Sequence, residues 1–110
     1  MHTAKNLQAL FQQLGIINVA GAHDALSAKL AEQAEFDAVW ASGFGLSSSL
    51  KCIPDASFIT LTEQLDIERN MAEAITIPIV ADCDTGYGNA LNVMRVVSDH
   101  ERAGIAAILY

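Results

Sequence analysis

The sequence predicts an α/β fold built on a parallel sheet, and three observations predict it. Short, largely apolar runs recur at 16–20, 37–41, 77–82 and 105–110. They read as continuous rather than alternating, the pattern of strands covered on both faces. Stretches of helical periodicity lie before the first run and between the others, so the order is one helix, then strand–helix three times, then a strand.

Each element has a local reason. From Thr3 to Leu14, the apolar Leu7, Leu10, Phe11 and Leu14 share one helical face, and Gly15 stops the helix. Ile16–Ala20 reads as a short buried strand closed by Gly21. Asp24–Glu35 predicts a second helix, rich in alanine and leucine and opened by Asp24 as N-cap. Asp37–Ala41 is the second strand, and 42–55 reads as a long polar loop containing glycine. Thr62, with Glu63 to Ala74, predicts a third helix, and Ile77–Asp82 a third strand. A fourth helix runs from about Ala90 to Ala103, Gly104 ends it, and Ile105–Tyr110 begins a fourth strand. Periodicity alone leaves two arrangements open, a doubly wound open sheet and a (β/α)₈ barrel. A barrel typically takes about 250 residues, so four strands imply a partial sequence.

Bulk properties narrow the partners. The 110 residues are 52% hydrophobic and 17% charged, which predicts one compact unit with no linker or repeat. A net charge of −7 disfavours nucleic acid and anionic membrane surfaces. The N-terminus lacks the apolar core of a signal peptide, and no run approaches the roughly 20 apolar residues of a membrane span. The expectation is a soluble cytoplasmic protein. Cys52 and Cys83 lack metal-ligand spacing and read as reduced, structural residues.

Parallel α/β folds gather their chemistry where strands end, and three strand ends here are polar. In Asp82-Cys83-Asp84, alternation puts both carboxylates on one side and Cys83 on the other. Two close carboxylates repel unless a cation intervenes, and Mg²⁺ prefers such oxygens. A solvated acidic turn before a helix explains the same residues, and residue types alone do not choose between the two. In Thr85-Gly86-Tyr87-Gly88-Asn89, the glycines permit close backbone approach and Asn89 is placed to cap a helix. The second strand ends in Trp40-Ala41-Ser42-Gly43-Phe44, where a hydroxyl and glycine N–H groups suit an anion cradle or oxyanion hole. Trp40 reads as core or as ligand wall; Ser47–Ser49 read as loop solvation, and Asp55 after Pro54 as a turn residue. The first strand ends in Gly21-Ala22-His23-Asp24, where His23 has the chemistry of a general base. His2 and His100 show no pattern and read as surface residues.

Together these strand ends resemble one family. Asp82-Cys83-Asp84-Thr85-Gly86-Tyr87-Gly88-Asn89, preceded by Ile77-Pro78-Ile79-Val80-Ala81, is similar to the metal-site signature of the phosphoenolpyruvate mutase/isocitrate lyase superfamily. The blocks 21–28 and 36–43 resemble its first two motifs in order and spacing. The resemblance selects a (β/α)₈ TIM barrel of the phosphoenolpyruvate mutase type, with about its first four strands present. Residues 1–110 would then be the N-terminal half of one catalytic domain, and the whole protein a homo-oligomer. It implies that Asp82 and Asp84 hold Mg²⁺ and that the substrate is an α-keto acid or enol phosphate. Ser42 would bind that substrate, the N–H groups of Gly43 and Phe44 would stabilise an enolate oxygen, and Trp40 would pack over it. Asp55 corresponds to the loop aspartate that contacts the reacting end in the mutase. Trp40 and Ala22-His23 resemble the phosphonopyruvate-processing branch, which favours interconversion of phosphoenolpyruvate and phosphonopyruvate. The 53–56 stretch looks more like phosphonopyruvate hydrolase, and a carbon–carbon lyase of the isocitrate or 2-methylisocitrate type is the other enzymatic alternative. A non-catalytic half-barrel acting by association is the alternative of another class.

Two departures accompany the resemblance. The 42–55 segment is one residue longer than the usual pattern, and the third acidic metal ligand would fall one position beyond Tyr110. The gating loop and a later arginine fall beyond it as well. Residues 1–110 purified alone are therefore expected to show no turnover; robust phosphonopyruvate–phosphoenolpyruvate interconversion followed by ³¹P NMR would overturn this.

Overall fold

The computed structural model describes residues 4–110, so His2 and the predicted helix start at Thr3 lie outside the described residues. In chain order the elements are α1 (Ala4–Leu14), β1 (Val19–Ala22), α2 (Ala25–Gln33), β2 (Ala38–Ala41), α3 (Gly43–Lys51), α4 (Leu61–Ala74), β3 (Ile79–Asp82), α5 (Ala90–Arg102) and β4 (Ala107–Leu109). The strands are parallel and lie in the order β1-β2-β3-β4. This order never reverses, as a doubly wound sheet would at its switch point. It is an arc of a (β/α)-barrel wall.

Strand alternation sorts the side chains. Ala22, Ala41 and Ala81 stand in register across three strands and are buried against the helices. Their small size lets α2 and α4 close onto the sheet, where Ala28, Ala31, Met71 and Ala72 complete a core with Val39, Ile79 and Val96. The opposite face carries Gly21, Trp40 and Val80 in one register row. There α1 contributes Leu7 and Phe11 to an apolar cavity of about 590 Å³, shared with Ile16, Val19, Trp40 and Val80. The amphipathic stripe of α1 thus faces the inner side of the sheet.

The helices begin where their sequences say they should. Asp24 accepts from Ser27 N at 2.7 Å, Thr60 from Glu63 N at 3.2 Å, and Asn89 from Leu91 N and Asn92 N. Each closes a capping box, worth about 1 kcal/mol apiece. Among the described residues, no helix is long and apolar enough to cross a membrane.

One expectation is corrected. The segment 42–55, read as a loop, contains the nine-residue helix α3. Its glycines and serines give weak intrinsic propensity, which is why periodicity missed it. The helix forms because Ser42 caps its start, Leu46 and Ser47 bury one side, and Cys52 ends it in a left-handed conformation. Smaller differences lie at strand edges: β1 begins at Val19 rather than Ile16, whose side chain is 84% exposed.

A single carboxylate joins α2 to the approach of β3. Glu32 accepts from Thr76 N at 2.6 Å, Thr76 Oγ1 at 2.8 Å, Ile77 N at 3.3 Å and Lys29 Nζ at 2.9 Å. The Thr76 backbone hydrogen bond, helped by Lys29, lowers its pKa from 4.5 to about 2. A depressed carboxylate adds stability that is present above about pH 4.5 and lost as pH falls toward about 2. Glu32→Gln should lower stability at pH 7 by about 1–3 kcal/mol and flatten the acid limb of denaturation midpoint against pH.

Candidate active site

The parallel register brings the predicted strand ends to one rim. Ala22, Ala41 and Ala81 are mutually aligned, so His23, Ser42 and Asp82 follow at one level. Asp82 projects on the inner side and Cys83 on the buried helical side, as alternation predicts. Gly43 sits against both carboxylates: a Cβ added there would meet Asp82 Oδ2 at 3.1 Å and Asp55 Oδ1 at 3.5 Å. Glycine thus lets the start of α3 approach the acidic groups closely. The 54–57 turn closes the other side, with the Ser57 hydroxyl donating to Asp84 Oδ2.

Gly43, Asp55, Asp82 and Asp84 line one small cleft with Ser47, Ser57, Gln64 and Tyr87. Its volume of about 20 Å³ is the room that one water-sized occupant needs. Among the described residues, no lysine, arginine or histidine lines it, so three acidic side chains face one space without a cationic neighbour there. The visible compensation is hydrogen bonding: Asp84 N donates to Asp82 Oδ1 at 3.0 Å, and Ser57 serves Asp84.

The remaining predicted residues occupy the surroundings. Trp40 lies on the same side as Ser42 but one layer lower, where it lines the apolar cavity and not the acidic cleft. Ser42 caps α3, accepting from Gly45 N at 3.1 Å. The first N–H groups of a helix have no acceptor within it, so Gly43 and Phe44 carry donors and the positive end of the α3 dipole at this rim. The Phe44 side chain does not join the cleft and is 67% exposed. His23 packs beside Gly45 and lies 3.6 Å from Asp24 Oδ2, with nearly half its side chain exposed.

The turn after β3 is strained and held. Asp84 and Tyr87 adopt φ of +53° and +62°, each costing about 1–3 kcal/mol for a non-glycine residue. Gly86 and Gly88 have no alternative: a Cβ would lie 2.6 Å from Val93 Cγ2 and 2.4 Å from Asn92 Oδ1, respectively. The Tyr87 hydroxyl donates to Gln64 Oε1, and Gln64 Nε2 donates to the Asp82 carbonyl at 2.6 Å. Burial, with Cys83, Glu68, Asp84 and Asp82 adding negative charge, holds the Tyr87 phenol above its ordinary pKa.

Behind this turn lies a group the sequence reading missed. His100, expected on the surface, is 1% exposed. Its Nδ1 faces Val96 O at 2.8 Å and its Nε2 faces Glu68 Oε1 at 2.9 Å, with Cys83 Sγ 3.4 Å from the same Nε2. Both ring nitrogens face acceptors, the requirement of an imidazolium. The sequence held a signal for this: Gln64 and Glu68 fall on the same helical stripe as Leu61, Leu65 and Ala72, and His100 lies four residues after buried Val96. Polar residues at core positions mark either a network or an error. Ser57 had no such signal.

Metal chemistry fits the donor set in part. Asp82 and Asp84 offer hard oxygen atoms, and Mg²⁺ usually binds through one or two carboxylates while keeping several waters. Among the described residues, no set of three or more His, Cys, Asp or Glu side chains is placed to hold an ion together.

Known proteins match this chain in sequence and fold. The family model for phosphoenolpyruvate phosphomutase matches residues 7–109. The chain is 42% identical to 2,3-dimethylmalate lyase of Eubacterium barkeri over 108 residues, 98% of this chain and 37% of the lyase. The crystal structure of phosphoenolpyruvate phosphomutase from Streptomyces platensis subsp. rosaceus superposes with a TM-score of 0.92 at 52% identity, covering 97% of this chain and 37% of that one. Phosphonopyruvate hydrolase in complex with oxalate and Mg²⁺ superposes with a TM-score of 0.89 at 44% identity, covering 98% and 38%. The chain spans little more than a third of the length of these relatives.

The buried pair has a pH signature. Burial pushes the His100 imidazole down, but hydrogen bonds with Cys83 and Glu68 and the Glu68 charge outweigh it, and the pKa rises from 6.5 to about 10. The stability this adds is fully present below about pH 6.5 and lost as pH rises through about 10. The urea midpoint should fall on the alkaline side of pH 7. His100→Leu, which leaves Glu68 buried without its cationic partner, should cost about 3–5 kcal/mol at pH 7.

Proposed function

The chain belongs to the phosphoenolpyruvate phosphomutase family, within the superfamily that also holds isocitrate lyase, and we propose that it carries the metal and enolate-binding half of a Mg²⁺-dependent site. That site acts on an α-keto acid or enol phosphate, and the reaction favoured is interconversion of phosphoenolpyruvate and phosphonopyruvate. One observation carries the reading: the N-terminus of α3 and the carboxylates of Asp82 and Asp55 meet across the methyl-sized space left by Gly43.

Asp82 and Asp84 are the residues that would hold Mg²⁺, and the ion, when bound, supplies a Lewis acid for the substrate's carboxylate and keto oxygens. The chain's own groups act around it. The N–H groups of Gly43 and Phe44, at the positive end of α3, receive the oxygen on which enolate charge develops. Ser42, which orients that helix start through Gly45, keeps its hydroxyl proton available for the substrate. Trp40 forms the apolar floor and keeps water from below. Asp55 faces the reacting end, opposite Gly43.

On this reading residues 1–110 form part of one barrel domain, and the whole protein works in the cytoplasm as a homo-oligomer on small molecules. A phosphonopyruvate hydrolase is the second reading, supported by the 44% identity to a structure of that enzyme and by the Ile53-Pro54-Asp55-Ala56 turn. A carbon–carbon lyase is the third, supported by the similarity to the dimethylmalate lyase.

The protein expressed at the length of its relatives should convert phosphonopyruvate to phosphoenolpyruvate when followed by ³¹P NMR. Inorganic phosphate as the product would identify the hydrolase instead, and an unchanged spectrum would favour the lyase. Asp82→Asn and Asp84→Asn should each lower kcat/KM by roughly 100-fold or more at fixed Mg²⁺, and unaltered turnover in both would sink the metal assignment.

A further inference from the structure

The core behind β3 contains groups that the proposed chemistry does not use. Gln64, Glu68 and His100 are all buried, in a layer that is otherwise alanine, methionine, isoleucine and valine. Apolar side chains of similar volume would serve stability as well as a buried ion pair does. What the polar groups add is direction, and their bonds run in one chain. His100 Nε2 meets Glu68 Oε1 at 2.9 Å, Glu68 Oε2 accepts from Gln64 Nε2 at 3.3 Å, and the same Nε2 donates to the Asp82 carbonyl at 2.6 Å. Gln64 Oε1 accepts from the Tyr87 hydroxyl.

These partners leave the Gln64 amide one orientation. Its NH₂ faces two acceptors, Glu68 Oε2 and Asp82 O, and its oxygen faces a donor. A flipped amide would oppose an oxygen to both acceptors and waste the tyrosine proton. The peptide plane between Asp82 and Cys83 is then gripped at both ends: its C=O by Gln64, its N–H by Leu109 O at 2.8 Å. That plane joins the two residues whose side chains point oppositely, and Asp84 follows it directly.

The geometry points to Gln64 as a positioning residue that, oriented by the Glu68–His100 pair, sets the Asp82–Cys83 peptide and with it the aim of the Asp82 and Asp84 carboxylates at a divalent cation. The role deepens the Mg²⁺ reading of the site and rests on it for the cation, but the ordering of the turn does not.

The test uses the protein expressed at the length of its relatives and two readouts. The first is amide hydrogen exchange by NMR at Asp84 and Gly86 without metal; the second is the Kd for Mn²⁺ from the EPR signal of the free ion. Gln64→Met keeps the volume and removes all three side-chain hydrogen bonds. It should speed exchange at the two amides and weaken Mn²⁺ binding at least 10-fold. Met71→Ala, a core truncation without a polar link to the turn, should lower the Tm while leaving both readouts at wild-type values. Should Gln64→Met fail to fold, Tyr87→Phe replaces it, expected to shift both readouts in the same direction by a smaller factor. Wild-type exchange and Kd in the folded Gln64 or Tyr87 variant would overturn the proposal, as would an equal shift in Met71→Ala. A wild-type chain that binds Mn²⁺ no better than Asp82→Asn/Asp84→Asn would sink the cation reading and, with it, the carboxylate-aiming role. Altered exchange would then support only the ordering of the turn.

Discussion

Strand alternation at Asp82 and Cys83, where β3 ends, is the constraint on which the rest of the molecule depends. A residue on a covered strand must face either the helices or the inner side, and successive residues face opposite ways. Asp82 therefore meets the rim while Cys83 meets the core, one bond apart. Everything around β3 is built to keep two unlike environments adjacent. On the helical side stand Ala81, Cys83 and the buried pair of Glu68 and His100; on the inner side stand Val80, Asp82 and the approach of Gly43. A shift of one residue in the register would bury the carboxylates and expose the core.

The acidic cleft also shows why α3 matters. Three carboxylates with no lining cation among the described residues repel one another, and the hydrogen bonds from Asp84 N and Ser57 offset only part of that. The start of α3 brings the positive end of a helix to the same place, and glycine at 43 permits the contact. A helix of low propensity is thus stabilised by its cap and its burial, and it in turn supplies what the cleft lacks. Local preference and site electrostatics are coupled through one short segment.

Much of this was legible beforehand. The strands, four of the helices and the caps at Asp24 and Asn89 followed from periodicity and from residues with one good local use. The shared rim of Ser42, Gly43, Asp82 and Asp84 followed from the rule that parallel strands end together. What escaped was set by distant partners. Gln64 and Glu68 drew no reading, and His100 looked like a surface histidine, because their partners come from other segments. Asp55 read as a turn residue from residue type and as a reacting-end aspartate only through the resemblance; the fold brings it opposite Gly43.

By itself the sequence determined the element order, the parallel sheet, the opposite facing of Asp82 and Cys83, and the Asp82–Asn89 motif that carries the family resemblance. These depend on spacing, alternation and capping, which act over a few residues. Only the tertiary structure decided that residues 43–51 are helical, that His100 is buried and paired with Glu68, and that Asp55, Asp82 and Asp84 share one cleft. Those features are set by contacts across tens of residues, where hydrogen-bond partners and burial override local propensity. The arc of four consecutive strands made the same distinction for the fold, since strand order is a long-range property that no periodicity encodes.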